Sequence, residues 1–360
     1  MKITKNIMKS SICLIPWISS SLHSGGQIRL CCIPDIDVTL QDENHKRCNI
    51  STHGVHDGRN CELIKKIRLD FLNGIKPEIC NICWNKEKLG NPTKRIGLLH
   101  LYKYFKYDIF KDTNSDGSID VNKFPIMHYD LRFGNLCNAK CMTCGSPIAS
   151  TFGTYIEWSD NKYNQDLTNS IDSIKEIYFA GGEPLINKYH WDFIKLLVKK
   201  NKAKDIYIKV ITNGSTMKEE YIDLWKEFKK VRVMFSIDGI NETFEKIRIP
   251  LSWEKVEKNL IVFDKLTADK SNIESMICPT ISILNVFKIP ELHNWLLDRK
   301  FKTINNRLLI NFLYNPEKYT VKNKIDIYDE VYKIYEPYLN GIYKQYFQSI
   351  LRFIKGDIYE

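Results

Sequence analysis

From about residue 126 onward, short β-branched runs alternate with stretches whose apolar residues recur at helical spacing. Strand-like runs fall at 126–133, 176–180, 206–211, 231–236, 276–284 and 308–313. Between the third and fourth, Tyr221, Leu224, Trp225 and Phe228 stand at i, i+3, i+4 and i+7, which is one face of a helix. After the second, Trp191, Ile194, Leu197 and Val198 repeat that stripe, and both stripes read as core packing. Strand and helix alternating every 30–40 residues or so, at about that spacing, predict parallel βαβ units with right-handed crossovers. Six units are too few for a complete eight-stranded barrel, so the expected α/β fold is a partial barrel or an open doubly wound sheet. In either, chemistry belongs at the C-terminal ends of the strands, where the βα loops gather.

The first 110 residues lack this alternation and carry several glycines and histidines. The polar, turn-rich segment Lys111-Asp112-Thr113-Asn114-Ser115-Asp116-Gly117-Ser118 separates them from the rest. The expected organisation is therefore a cysteine-rich domain over 1–110, a linker over 111–125, the barrel over 126–314 and a helical segment over 315–360. Within that last segment, residues 325–353 are tyrosine-rich and helical in pattern, suited to closing the barrel or covering its mouth. Asp112, Asn114, Asp116 and Gly117 resemble part of a calcium loop, but no glutamate occupies the twelfth position, and the segment reads as a turn.

Composition adds bounds. The chain has 360 residues, 43% of them hydrophobic and 27% charged. That is room for about two domains with a real core, and it excludes disordered, collagen-like and coiled-coil classes. Lys2, Lys5 and Lys9 precede an apolar run over 12–18, yet Pro16 breaks the run and no small-residue cleavage site follows, so it is not read as a signal peptide. No apolar stretch approaches membrane-span length, and a cytoplasmic protein is expected. The net charge of +10 comes from dispersed lysines, among them Lys199, Lys200, Lys202, Lys229 and Lys230 near helix ends. No compact basic patch interleaves with aromatics, so neither nucleic acid nor a membrane is an expected partner.

Cysteine placement changes the picture most. Of eleven cysteines, ten lie in the first 144 residues. An odd count in a chain with a sizeable core reads as metal or cluster ligation before it reads as disulfides. Just after the first strand, Cys137, Cys141 and Cys144 follow a Cys-x3-Cys-x2-Cys spacing. Three thiolates in one short loop suit a face of an iron–sulfur cubane and leave one iron open; the alternative is a zinc site completed by a distant ligand. The second strand runs into Gly181-Gly182-Glu183-Pro184, the third into Thr212-Asn213-Gly214, and the fourth into Ser236-Ile237-Asp238-Gly239, followed by Glu242 and Arg248. The fifth ends at Asn285.

The cysteine triplet and these strand-end motifs, in this order, resemble the radical S-adenosylmethionine (SAM) superfamily. The resemblance implies a partial (β/α)6 TIM-like barrel and a 4Fe-4S cluster on Cys137, Cys141 and Cys144. The open iron of that cluster would be chelated by SAM, and an electron from the cluster would yield a 5′-deoxyadenosyl radical. It further implies that Gly181, Gly182, Glu183 and Pro184 hold the SAM amino group, with Asn213, Ser236, Asp238 and Asn285 as further SAM contacts. One departure stands out: the residue before the third cysteine, usually aromatic in the superfamily, is Thr143, with Met142 beside it as an apolar substitute.

Cys31-Cys32 and Cys80-x2-Cys83-Trp84, with their surrounding Gly and Pro positions, resemble the cluster-binding extensions called SPASM and twitch domains. In relatives these usually follow the barrel; here the similar stretch precedes it. The resemblance implies an auxiliary centre on Cys31, Cys32, Cys80 and Cys83, either a second iron–sulfur cluster or zinc. Cys48 or Cys61 are candidates for a remaining place, and His53 or His56 for a zinc site. Cys13 and Cys278 read as buried core thiols, and His128 and His190 as packing. The resemblance favours hydrogen abstraction from a peptide or protein substrate, with an external electron donor such as flavodoxin or ferredoxin. The alternatives are a radical SAM enzyme acting on a nucleoside, sugar or nucleic acid, and a zinc-stabilised binding protein on the same barrel. No catalytic residue is assigned from sequence.

Overall fold

A computed structural model describes residues 11–33, 38–146, 148–156, 158 and 161–356. Lys2, Lys5 and Lys9 lie outside the described residues. In chain order the strands are β1 (Ser19–Leu22), β2 (Ile28–Arg29), β3 (His128–Leu131), β4 (Lys140–Cys141), β5 (Glu176–Phe179), β6 (Tyr207–Thr212) and β7 (Lys230–Phe235). They continue with β8 (Arg248–Ile249), β9 (Ile273–Ile277), β10 (Thr280–Ile281), β11 (Ile304–Asn305) and β12 (Asn311–Phe312). Eight of them form one sheet in the order β11-β9-β7-β6-β5-β3-β1-β2. Six consecutive members, β3 to β11, are the strands of the expected partial α/β barrel, and β6, β7, β9 and β11 pair in parallel.

The alternation that predicts β6 and β7 is visible in burial. Ile208 and Val210 are buried and in register with buried Val231 and Val233, while Lys209 and Arg232 on the opposite face are half-buried. The helix Lys188–Lys199 starts where the Asn187 side chain accepts from the Tyr189 amide. It buries Trp191, Ile194 and Leu197 of the predicted stripe, while the fourth member, Val198, is half-buried. The Trp191 ring stacks on Tyr221 at 3.7 Å, joining it to the other predicted stripe.

Two strand expectations are corrected. The run 276–284 is not one strand: β9 stops at Ile277, and Thr280–Ile281 pairs instead with β12. Pro279 has no amide hydrogen for the ladder, and the next one, on Thr280, is taken by Asp238 Oδ1 at 2.8 Å. The run 308–313 accordingly supplies β12, and the sixth sheet position falls to Ile304–Asn305.

The chain resolves into two compact units whose division differs from the expected 1–110, 111–125, 126–314 and 315–360 partition. One comprises 1–87, 92–134 and 157–178; the other comprises 88–91, 135–156 and 179–360. The first unit joins the cysteine-rich stretch to β3 because β1 pairs with it in parallel, Ser19 opposite His128. The segment 111–125 also belongs to this unit and is no open linker. Thr113 bridges Ile119, and Ile119 and Phe124 are buried. Asp116 accepts from the Ser118 amide and hydroxyl, which holds its carboxyl down at about 2, so the calcium-like pattern closes a turn.

Two buried arginines organise the first unit. Arg68 is fully enclosed and donates to the carbonyls of Pro16 (2.7 Å), Arg59 (2.6 Å) and Gly117 (3.1 Å) and to Asn60 Oδ1 (2.9 Å). Arg59 donates to the carbonyls of Trp17 and Phe124. Together they fix the helical turn Ile15–Ile18 by donating to the carbonyls of Pro16 and Trp17, which would otherwise lack donors.

In the second unit, the helices Tyr328–Tyr335 and Lys344–Lys355 supply the C-terminal segment. Tyr335 donates to the Val286 carbonyl at 2.6 Å, and Phe353 stacks on Phe312 of β12 at 4.2 Å. Among the described residues no helix is long and apolar enough to cross a membrane.

Replacing Arg68 with Ala strands several buried carbonyls at once. The Arg68→Ala protein is expected to lose about 3 kcal/mol of stability, read as a lower urea midpoint at unchanged slope; an unchanged midpoint contradicts the role given to this residue.

Candidate metal and cofactor site

The loop after β3 carries the three cysteines, and its path is fixed by side-chain amides. Asn135 is fully buried; its Nδ2 donates to the Thr154 carbonyl at 3.0 Å, and its Oδ1 accepts from the Ile156 amide at 2.8 Å. The Cys137 amide donates to Ser150 Oγ at 3.1 Å, and Thr151 Oγ1 donates to the Ala139 carbonyl at 2.7 Å. Farther on, Lys140–Cys141 forms β4 and pairs antiparallel with β8, so that Cys141 faces Arg248. The Cys144 amide then closes a turn onto the Cys141 carbonyl at 3.0 Å.

All three thiols are half-buried. Burial pushes Cys137 up to about 11, with the neighbouring Glu183 carboxylate and the other two thiols pushing the same way. Burial also raises Cys141 and Cys144, while the Arg248 cation pulls both back down. The thiols thus share one electrostatic environment. Among the described residues no group of three or more His, Cys, Asp or Glu side chains is arranged to hold a single metal ion. A cubane makes a different demand, because each thiolate binds its own iron and the sulfurs need not converge to ~2.3 Å from one point. A short loop of three thiols with a cation beside it is a donor set that fits such a cluster.

The Gly181-Gly182-Glu183-Pro184 turn lies against this loop. Both glycines have positive φ, and a Cβ on Gly182 would stand 2.1 Å from the Leu136 carbonyl oxygen. The Glu183 amide donates to that same oxygen at 2.8 Å, and the Gly182 amide donates to the Ile148 carbonyl at 3.1 Å. Pro184 is buried and opens the short turn Pro184–Ile186. The Glu183 side chain is 1% exposed and accepts from the Leu185 amide (3.0 Å), the Thr212 hydroxyl (2.8 Å) and the Asn213 amide (2.6 Å). Burial raises its pKa, and these three bonds oppose the rise.

Asn213 carries the tie onward. Its Nδ2 donates to Asn138 Oδ1 at 2.9 Å, and Asn138 Nδ2 donates to Ser215 Oγ at 2.8 Å, so a residue between two of the cysteines is bonded to the third strand end. Ser236 is half-buried, and its amide donates to the Thr212 carbonyl at 2.8 Å. Asp238 is fully buried between the Thr280 amide and Arg248 Nη2, the latter at 2.7 Å. Asn285 Nδ2 donates to the carbonyls of Asp238 (2.8 Å) and Thr280 (3.0 Å), and its Oδ1 accepts from the Ser282 amide (2.8 Å). Both of its amide hydrogens are committed inside the protein, which makes Asn285 a brace between two strand ends. Sequence reasoning passed over Asn138, Asn135 and Ser215, whose short polar side chains carry no spacing signal. His190 packs edge-on against Phe179 and Trp191, and burial pushes it down to about 3.

In the other unit, Cys31, Cys80 and Cys83 line one small cavity, and the fourth thiol on its wall is Cys13. Burial raises Cys80 to about 12 and Cys83 to about 11, and Cys13 is raised further. The Arg95 guanidinium lies over the Trp84 ring at 4.7 Å and donates to the Ile12 carbonyl at 3.0 Å, fixing the chain beside Cys13. Cys32 does not line the cavity, but its thiol is hydrogen-bonded to Cys31 and interacts electrostatically with Cys83; its sulfur also accepts from Lys94 Nζ at 3.4 Å, and Lys94 pairs with Asp130 at 2.7 Å. His53, His56 and Cys61 line a different cleft. Cys48 lies under Gly58. Cys13 is a buried thiol, as expected from its apolar run, and it stands on the cavity wall with the other three.

Residues 131–280 match the sequence profile of the radical SAM superfamily. No curated protein sequence matches the chain. Among solved structures, native anSMEcpe with bound AdoMet is similar over 60% of this chain and 62% of its own, at 20% identity and a TM-score of 0.46. Streptococcus suis SuiB bound to the precursor peptide SuiA is similar over 77% of this chain and 63% of its own, at 16% identity and a TM-score of 0.42. The chain thus spans a little over three-fifths of the length of each.

Gly182 and Gly145 make a matched test of this geometry. A Cβ at Gly145 meets nothing within 4 Å. Gly182→Ala is expected to cost about 1–3 kcal/mol and lower the Tm, whereas Gly145→Ala stays within about 0.5 kcal/mol of wild type. Equal Tm values for the two would contradict the close approach of the two loops.

Proposed function

We propose that this protein is a radical SAM enzyme that abstracts hydrogen from a peptide or protein substrate. Cys137, Cys141 and Cys144 hold a 4Fe-4S cluster with one iron free for SAM. When bound, cluster and SAM together supply a one-electron cleavage of the sulfonium and a 5′-deoxyadenosyl radical. The chain supplies position: Gly181 and Gly182 let backbone approach the ligand, and Glu183 fixes the turn through its three hydrogen bonds. Asn213, Ser236 and Asp238 line the strand ends on the SAM side, with Asn285 bracing two of them. The observation that carries the reading is the chain of bonds from the cysteine loop through Asn138 to Asn213 and Glu183, which holds the thiols against the strand ends.

A second metal centre belongs to the same reading. Cys13, Cys31, Cys80 and Cys83 are its ligands, with Cys13 in the place the sequence assigned to Cys32; a four-cysteine set suits an iron–sulfur cluster. The peptide substrate rests on the resemblance of this stretch to SPASM and twitch extensions. An external one-electron donor of the flavodoxin or ferredoxin kind completes the proposal.

Anaerobic reconstitution tests it. The wild-type protein is expected to bind about eight irons per chain and to form 5′-deoxyadenosine from SAM with dithionite. A colourless zinc protein that leaves SAM intact would sink the enzyme reading. Cys13→Ser is expected to hold about four irons and Cys32→Ser the wild-type number; the reverse pattern restores Cys32 as the ligand.

A further inference from the structure

Arg248 stands where two constraints meet. β8 pairs antiparallel with β4, with Arg248 directly opposite Cys141, and the Met142 amide extends the pairing by donating to the Ile247 carbonyl at 2.8 Å. Directly opposed residues of an antiparallel pair send their side chains to the same face. Arg248 Nη1 accordingly donates to Cys141 Sγ at 3.7 Å, while Nη2 pairs with Asp238 Oδ2 at 2.7 Å. The residue is 8% exposed and Asp238 is fully buried, with Asp238 Oδ1 anchored by the Thr280 amide. The guanidinium is therefore fixed on both sides, by backbone pairing and by a carboxylate, with one N–H aimed at a sulfur.

A cation that donates to a ligand sulfur favours the more negatively charged, reduced form of a cluster, and weak solvent screening strengthens the effect. We propose that Arg248 is a positioning residue that raises the reduction potential of the cluster on Cys137, Cys141 and Cys144 by donating to the Cys141 sulfur, with Asp238 as its electrostatic counterweight. This rests on the function proposed above. The step affected is the transfer of one electron from a reductant such as dithionite to the cluster, with no bond made or broken in the protein.

The test is an EPR-monitored redox titration of the reconstituted wild-type, Arg248→Gln and Asp238→Asn proteins without SAM, with SAM affinity measured separately. Arg248→Gln is expected to shift the midpoint to more negative values. Asp238→Asn, which keeps the oxygen that accepts from Thr280, is expected to shift it the other way. A purely structural role does not give opposite signs. Midpoints equal to wild type in both variants, with only SAM affinity reduced, overturn the inference and make Arg248 a SAM contact. If Arg248→Gln takes up no iron, Asp238→Asn decides alone, and an unshifted midpoint overturns the proposal. A wild-type protein that takes up no cluster overturns the proposed function itself and this inference with it, so the two failures are distinct.

Discussion

The carbonyl oxygen of Leu136 sets the constraint on which the site depends. It accepts the Glu183 amide at 2.8 Å, and it occupies the space a Cβ on Gly182 would need. Backbone meets backbone here only because residue 182 is glycine, free of a side chain and able to adopt positive φ. From that contact outward, Glu183 gathers the Thr212 hydroxyl and the Asn213 amide, and Asn213 returns through Asn138 to the cysteine loop. The loop with the thiols and the turn after β5 are thus one bonded assembly.

Charge is arranged around the same assembly. Burial favours the protonated form of all three thiols, and ligation to a metal requires them as thiolates, so a cluster bound there would release protons. Arg248 is the cation nearest this cost, and its tie to Asp238 keeps it from being lost to solvent. The cavity lined by Cys13, Cys31, Cys80 and Cys83 in the other unit is also lined by Arg95, which is held by Glu87 and stacked on Trp84. In both places an arginine paired with a carboxylate stands next to cysteines, a geometry that offsets the negative charge of bound thiolates.

How much of this was legible follows from the type of signal. The parallel core was readable from period-two burial in β6 and β7 and from the helical stripes of Trp191 and Tyr221, since both patterns are local. The cysteine triplet and the Gly-Gly-Glu-Pro turn were readable because their spacing is short. The fifth and sixth strands were misjudged because Pro279 and the Asp238–Thr280 bond divert the chain, an interaction across 42 residues. The position of Cys13 on the cavity wall was hidden for a related reason: the turn after it, at residues 15–18, is held by Arg68 and Arg59 from far along the chain. Asn285 was legible as a polar strand-end residue, but only its partners distinguish a brace from a ligand contact.

The central claim is that the loop of Cys137, Cys141 and Cys144 carries a cluster with one iron open to SAM. The most direct measurement is the EPR spectrum of the dithionite-reduced protein before and after SAM is added, in a variant lacking Cys80 and Cys83 so that a single cluster contributes. The account predicts a reduced-cluster signal whose g values change on SAM addition. A signal that SAM leaves unaltered would contradict it.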